Sequence, residues 1–148
     1  MRPSIIEQLD GMCRVLEETV APEVHSGHAL EILRSLVSNV RMLSRNWHSV
    51  PGFLDWDNGV TVELLSSARP SVSETLRNRI DAALAGAPMN QTDILAVDAF
   101  NERLRQLTTE CLADTVMPPV REKILQHLFD RTTRYPMRLS GATPKQPS

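Results

Sequence analysis

The chain has 148 residues, 41% hydrophobic and 23% charged, with 16 Lys and Arg against 18 Asp and Glu for a formal charge of −2. That length and balance fit one folded domain, and they exclude both the composition of a disordered chain and a global basic field for nucleic acid. No apolar run approaches the roughly 20 residues that span a bilayer, and "MRPSIIEQLDGMC" carries two acids where a secretory signal has an apolar core, so a cytoplasmic protein without membrane or nucleic-acid partners is expected.

The first helix is announced by "SIIE", in which Ser4 can accept from a backbone N–H three residues on while Glu7 reaches back. Ile5, Ile6, Leu9, Met12, Cys13, Leu16 and Val20 follow at helical spacing on one face, and Pro22 ends or kinks the helix. A second helix runs from Ser26–His28 to Trp47, and its apolar positions Leu30 to Trp47 cover about 160°, enough for at least two neighbours. The segment "NWHSVPGFLDWDNGV", residues 46–60, reads as a loop, with a short helix over 60–68 after it.

"SVSE" predicts a capping box of Ser71 with Glu74, opening a third helix whose stripe is Val72, Leu76, Ile80, Ala83 and Leu84 and whose end is Gly86. Asn90 is the expected N-cap of a fourth helix, with Val97, Phe100, Leu104, Leu107 and Cys111 forming a narrow seam. A fifth starts at Pro118 or Pro119 and buries Val120, Ile124, Leu125, Leu128 and Phe129. From Arg131 the pattern fails. Arg131, Arg134, Arg138 and Lys145, with Tyr135 among them, read as a solubilising tail. The expected fold is therefore all-α, a four-helix-bundle-like domain with an additional C-terminal helix over residues 1–130 and a flexible basic tail over 131–148.

Motifs for chemistry are sparse. "EVHSGH" gathers Glu23, His25 and His28 before Glu31, but the spacing is neither that of a zinc protease nor that of a di-iron bundle, so no metal is assigned. Cys13 and Cys111 lie far apart in apolar patterns and read as reduced core residues. "DWDNG" fails as a calcium loop because its fifth place is Gly59 and its twelfth is Ser66; Asp57 and Asn58 then read as turn formers or N-caps. No nucleophile elbow and no phosphate-cradling glycine loop is present, so no catalytic residue and no cofactor is assigned.

Two groups remain as ligand-binding candidates. One is the aromatic segment, with Trp47, His48, Phe53, Asp55 and Trp56, read first as a hydrophobic plug over a bundle end. The other is Arg34, Arg41 and Arg45, which fall within about 40° on the second helix and could hold a phosphate or carboxylate, although a solvated face is the ordinary reading.

"RPS…LEETVAPEV" from Arg2 to Val24, a long second helix with Asn39, and "VREKI…RYP" from Val120 to Pro136 together resemble an uncharacterised bacterial helical domain family. Members of that family are encoded beside aminoglycoside-phosphotransferase-like kinases and acyl-CoA dehydrogenases. The resemblance implies an accessory function near such chemistry and supplies no site residues; "RTTRYP" lacks the Asn-Pro that the family pattern has there.

The leading expectation is a non-enzymatic helical protein acting through protein contacts, as a homodimer or a partner of an enzyme. Its rival is a small-molecule binder or enzyme with a pocket under the Trp47–Phe53–Trp56 loop, using His48, Asp55 and Asp57.

Overall fold

The structure, a computed structural model, describes residues 3–114 and 117–137. Among these residues the fold is all-α: α1 (Ile5–Arg14), α2 (Gly27–Asn46), α3 (Val50–Ala68), α4 (Glu74–Ala85), α5 (Ile94–Ala113) and α6 (Pro118–Arg134). Where the sequence suggests one bundle over 1–130, the helices divide into two compact units, with the break between Val50 and Pro51.

The first unit is a helical hairpin. Its capping box forms as expected, with Ser4 N–H donating to Glu7 Oε2 at 2.6 Å and Glu7 N–H to Ser4 Oγ at 3.2 Å. Approaching Pro22, which cannot donate to the helical ladder, the chain widens into a π-helical turn over Val15–Val20, where the Ala21 N–H reaches back to Leu16 O. A 3₁₀ turn over Ala21–Glu23 follows, and Ser26 caps α2 by accepting from the Ala29 N–H.

The two helices run antiparallel. Ser44 Oγ donates to Asp10 at 2.8 Å, Cys13 Sγ lies 3.8 Å from Val37 O, and Arg41 Nη2 pairs with Glu17 at 2.6 Å. Among the described residues of this unit the buried apolar side chains are Cys13 and Val37 alone.

The second unit, Pro51–Tyr135, places α3 to α6 round a substantial core. Leu64, Leu65 and Ala68 of α3 meet Leu76, Ile80 and Ala83 of α4, Phe100, Leu104, Leu107 and Cys111 of α5, and Ile124 of α6. The stripes predicted for α4 and α5 are thus the ones buried. The pair packs antiparallel, tied by Ser73 to Asp114 and by Arg79 to Glu110. Both cysteines are free and buried, and burial, followed by the nearby Asp114 and Glu110 charges, pushes the Cys111 thiol up to about 11.

Several local expectations are corrected. The segment over 46–60 is not a loop: a 3₁₀ turn over Trp47–Ser49 leads into α3, which continues unbroken to Ala68. Pro51 stands in the first turn of α3, where its missing N–H has no partner to lose. Ser71 does not cap α4. Its Oγ donates to Ala68 O, and the N-cap position belongs to Ser73, whose hydroxyl instead donates to Asp114.

Asp93, not Asn90, caps α5, accepting from the Ala96 N–H, while Asn90 accepts from Thr92 in the preceding turn. Leu125 is exposed, with His127 taking the buried place one turn on from Ile124. Finally, α6 extends to Arg134, so Arg131 and Arg134 belong to a helix and not to a tail. Arg138 and Lys145 lie outside the described residues.

Candidate functional site

The most concentrated chemistry in the second unit surrounds Asp57, which is 0% exposed. Helical spacing assembles the group. Asp57 and Thr61 lie four apart on α3, His127 and Arg131 four apart on α6, and Asn101 points in from α5. Asp57 Oδ2 accepts from Asn101 Nδ2 at 2.6 Å and from Arg131 Nε at 2.7 Å. The second amide hydrogen of Asn101 goes to Asn58 Oδ1 at 2.8 Å, and Asn58 in turn donates to Val97 O at 3.4 Å.

The other Asp57 oxygen, Oδ1, is 2.9 Å from His127 Nε2 but off the line of a ring N–H, so it gains an electrostatic contact without an aligned hydrogen bond. The same Nε2 lies 3.1 Å from Thr61 Oγ1. Because the Thr61 hydroxyl hydrogen is committed to Asp57 O at 2.6 Å, Oγ1 must accept there, which puts the hydrogen on Nε2.

Burial acts to push the Asp57 carboxyl up. The close His127 Nε2, the hydrogen bonds from Asn101 and Arg131, and the Arg131 charge together outweigh burial and hold the group below the ordinary carboxylate range. Asp57 is therefore a buried anion matched by a guanidinium and a histidine.

Aspartate, histidine and hydroxyl in one cluster invite comparison with a nucleophilic triad, and the geometry answers it. A triad needs the carboxylate on one imidazole nitrogen and the nucleophile on the other, whereas here both meet Nε2. The hydroxyl is also buried and bonded to its own helix. The cluster organises a helix interface.

Rings close over it. Trp56 sits 5.1 Å from the His127 ring, Phe53 is 5.9 Å from Trp56 and 5.4 Å edge-on from Tyr135, Arg134 lies 4.4 Å over Trp56 and Arg131 5.5 Å over Phe53.

The candidates read from sequence scatter across this arrangement. Phe53 is buried and Trp56 half-buried in α3, while Asp55 points to solvent; Trp47 and His48 are exposed on the 3₁₀ turn that ends the first unit. Asp57 and Asn58 are neither turn formers nor caps but buried members of the polar cluster, because α3 runs straight through them. Asn101, His127 and Arg131 were missed. Asn101 lies between Phe100 and Leu104 on the apolar face of α5, and a polar residue there was the available signal.

In the first unit α2 carries three parallel stripes. The middle one, with Val37 and Ser44, faces α1. To one side Arg34, Arg41 and Arg45 line a cavity of about 370 Å³ together with Leu16, Leu33 and Val37. To the other, Ile32, Leu36 and Leu43 are exposed. Since α1 runs antiparallel, its exposed Ile5 and Met12 fall on the same side of the hairpin as the α2 apolar stripe.

The arginines named from sequence are thus brought to one groove. Comparison with protein-family models, curated proteins and solved structures finds no match for this chain.

Proposed function

We propose that this protein acts through protein contacts rather than catalysis, and that the α1–α2 hairpin pairs with the hairpin of a second copy. One observation carries the proposal. Ile5, Met12, Ile32, Leu36 and Leu43 occupy one face of the hairpin and are each 41–58% exposed. Scattered surface apolar residues need no explanation, but a continuous stripe over two helices is the signature of an interaction face.

A second copy fits the deficit best. Two helices sharing a buried seam of Cys13 and Val37 lack the core that a helical layer needs, and a second hairpin completes four helices round one apolar centre. The three arginines lie on the other side of α2 and so do not oppose their own copies across a two-fold axis.

Sedimentation velocity at micromolar concentration tests the proposal, with a dimer expected. Ile32→Glu with Leu36→Glu should weaken it by at least about a hundredfold, since each buried aliphatic side chain contributes roughly 1.5–3 kcal/mol. A strict monomer overturns the proposal. So does a double variant that sediments as the wild type does.

A further inference from the structure

The geometry points to the groove between the π-helical turn and α2 as a binding site for an elongated organic dianion with an apolar middle, a class represented by medium-chain α,ω-dicarboxylates. The groove belongs wholly to the first unit and is independent of the apolar face.

Its charge is unbalanced. The lining holds the guanidiniums of Arg34, Arg41 and Arg45 and the single carboxylate of Glu17. Glu17 is committed to Arg41 at 2.6 Å. Neither Arg34 nor Arg45 has a hydrogen-bond or ion-pair partner among the described residues, so two cations remain to be matched.

Their placement sets the length of the ligand. Arg34 and Arg45 are eleven residues apart on α2, about 16 Å along the axis at about 1.5 Å per residue, and both line the groove. A compact anion such as phosphate reaches one of them. A chain with a carboxylate at each end reaches both, each end meeting a planar fork suited to bidentate pairing.

Between the two ends the floor is apolar, and the exposed Glu17–Arg41 ion pair also falls between them along α2. Val37 is buried, Leu16 and Leu33 are half-buried, and the arginines stand exposed at the rim. The floor thus takes methylene groups while the rim takes the charges. A volume of about 370 Å³ falls in the range of small-molecule sites. The opposite wall is the Val15–Val20 turn, a π-helical insertion of the kind that recurs at functional sites.

Isothermal titration calorimetry of the full chain with sebacate, decanoate and succinate tests the site. Sebacate should bind, decanoate should bind at least about tenfold more weakly because it leaves one arginine unmatched, and succinate should give no heat. Arg34→Gln and Arg45→Gln should each weaken sebacate about tenfold. Because both side chains are exposed and unpartnered, the melting temperature of each unliganded variant should match that of the wild type, so a lost signal reports the site and not the fold.

Absence of sebacate binding overturns the inference. Equal affinities for sebacate and decanoate overturn the requirement for two charges, and unchanged binding in the Arg34→Gln, Arg45→Gln double variant overturns the location.

Discussion

Asp57 is the centre of the second unit's buried polar cluster. Arg131 and Asn101 hydrogen-bond to its carboxylate and His127 lies against it, and the buried Asn101 and His127 have no water to turn to if it is removed. Removing one partner of a buried charge pair typically costs about 3–5 kcal/mol, because the other charge is left uncompensated. Asp57→Ala should therefore lower the unfolding free energy by that much, read as a lower urea midpoint, whereas Asp55→Ala, a change of an exposed carboxylate two residues away, should stay within about 0.5 kcal/mol of the wild type. Equal midpoints for the two variants would show that the cluster contributes nothing to stability.

Among the elements, α3 departs most from expectation. Its N-terminal half carries Pro51, Gly52, two aspartates, an asparagine and Gly59, a composition that favours turns in isolation. It is helical because tertiary contacts override that preference: Phe53 and Leu54 are buried, and Asp57 and Asn58 find partners on α5 and α6. The helix still bears the cost of its glycines. Gly59 is exposed in mid-helix with open space where a Cβ would stand, so Gly59→Ala should stabilise the fold by about 0.5–1 kcal/mol, read as a rise in melting temperature. A fall would mean that the added methyl meets something.

The same element shows why some boundaries were legible and others not. Ser4 caps its helix as its spacing predicts, because a cap is a local matter of one hydroxyl and a backbone N–H three residues on. Ser71 and Asn90 have suitable spacing too, yet Ser73 and Asp93 hold the cap positions, since the choice among neighbouring cap candidates depends on where packing starts the helix.

At the scale of the whole molecule the two units differ in how completely they bury apolar surface. In the second unit the predicted stripes of α4 and α5 close on α3 and α6 round one core. In the first, much of the apolar face read on α1 and α2 is exposed, which the sequence registered as an α2 face broad enough for two neighbours.

Acid should act mainly through the carboxylates held below their ordinary value of 3.8, namely Asp57 and Asp81, the latter by its hydrogen bond from Arg69. For such groups the unfolded chain binds protons first. Their stabilisation is therefore complete above the unfolded value and is lost as pH falls through the folded one. The urea midpoint should be level above about pH 5 and decline below about pH 4, with a shallower decline in Asp57→Asn. A midpoint unchanged between pH 5 and pH 3 would contradict the ionised, bonded state of Asp57.

The sequence by itself determined the all-α class, the stripes of α4 and α5, the buried cysteines and the alignment of Arg34, Arg41 and Arg45, because each follows from a period of 3.6 residues along a single element. Only tertiary structure decided that residues 50–68 form one helix, that Asp57 is a buried anion, and that Arg131 leaves the expected tail to meet it across 74 residues of chain. The physical reason is common to all three. A buried polar group is tolerable only with its partners in place, and those partners come from helices whose approach no local pattern encodes.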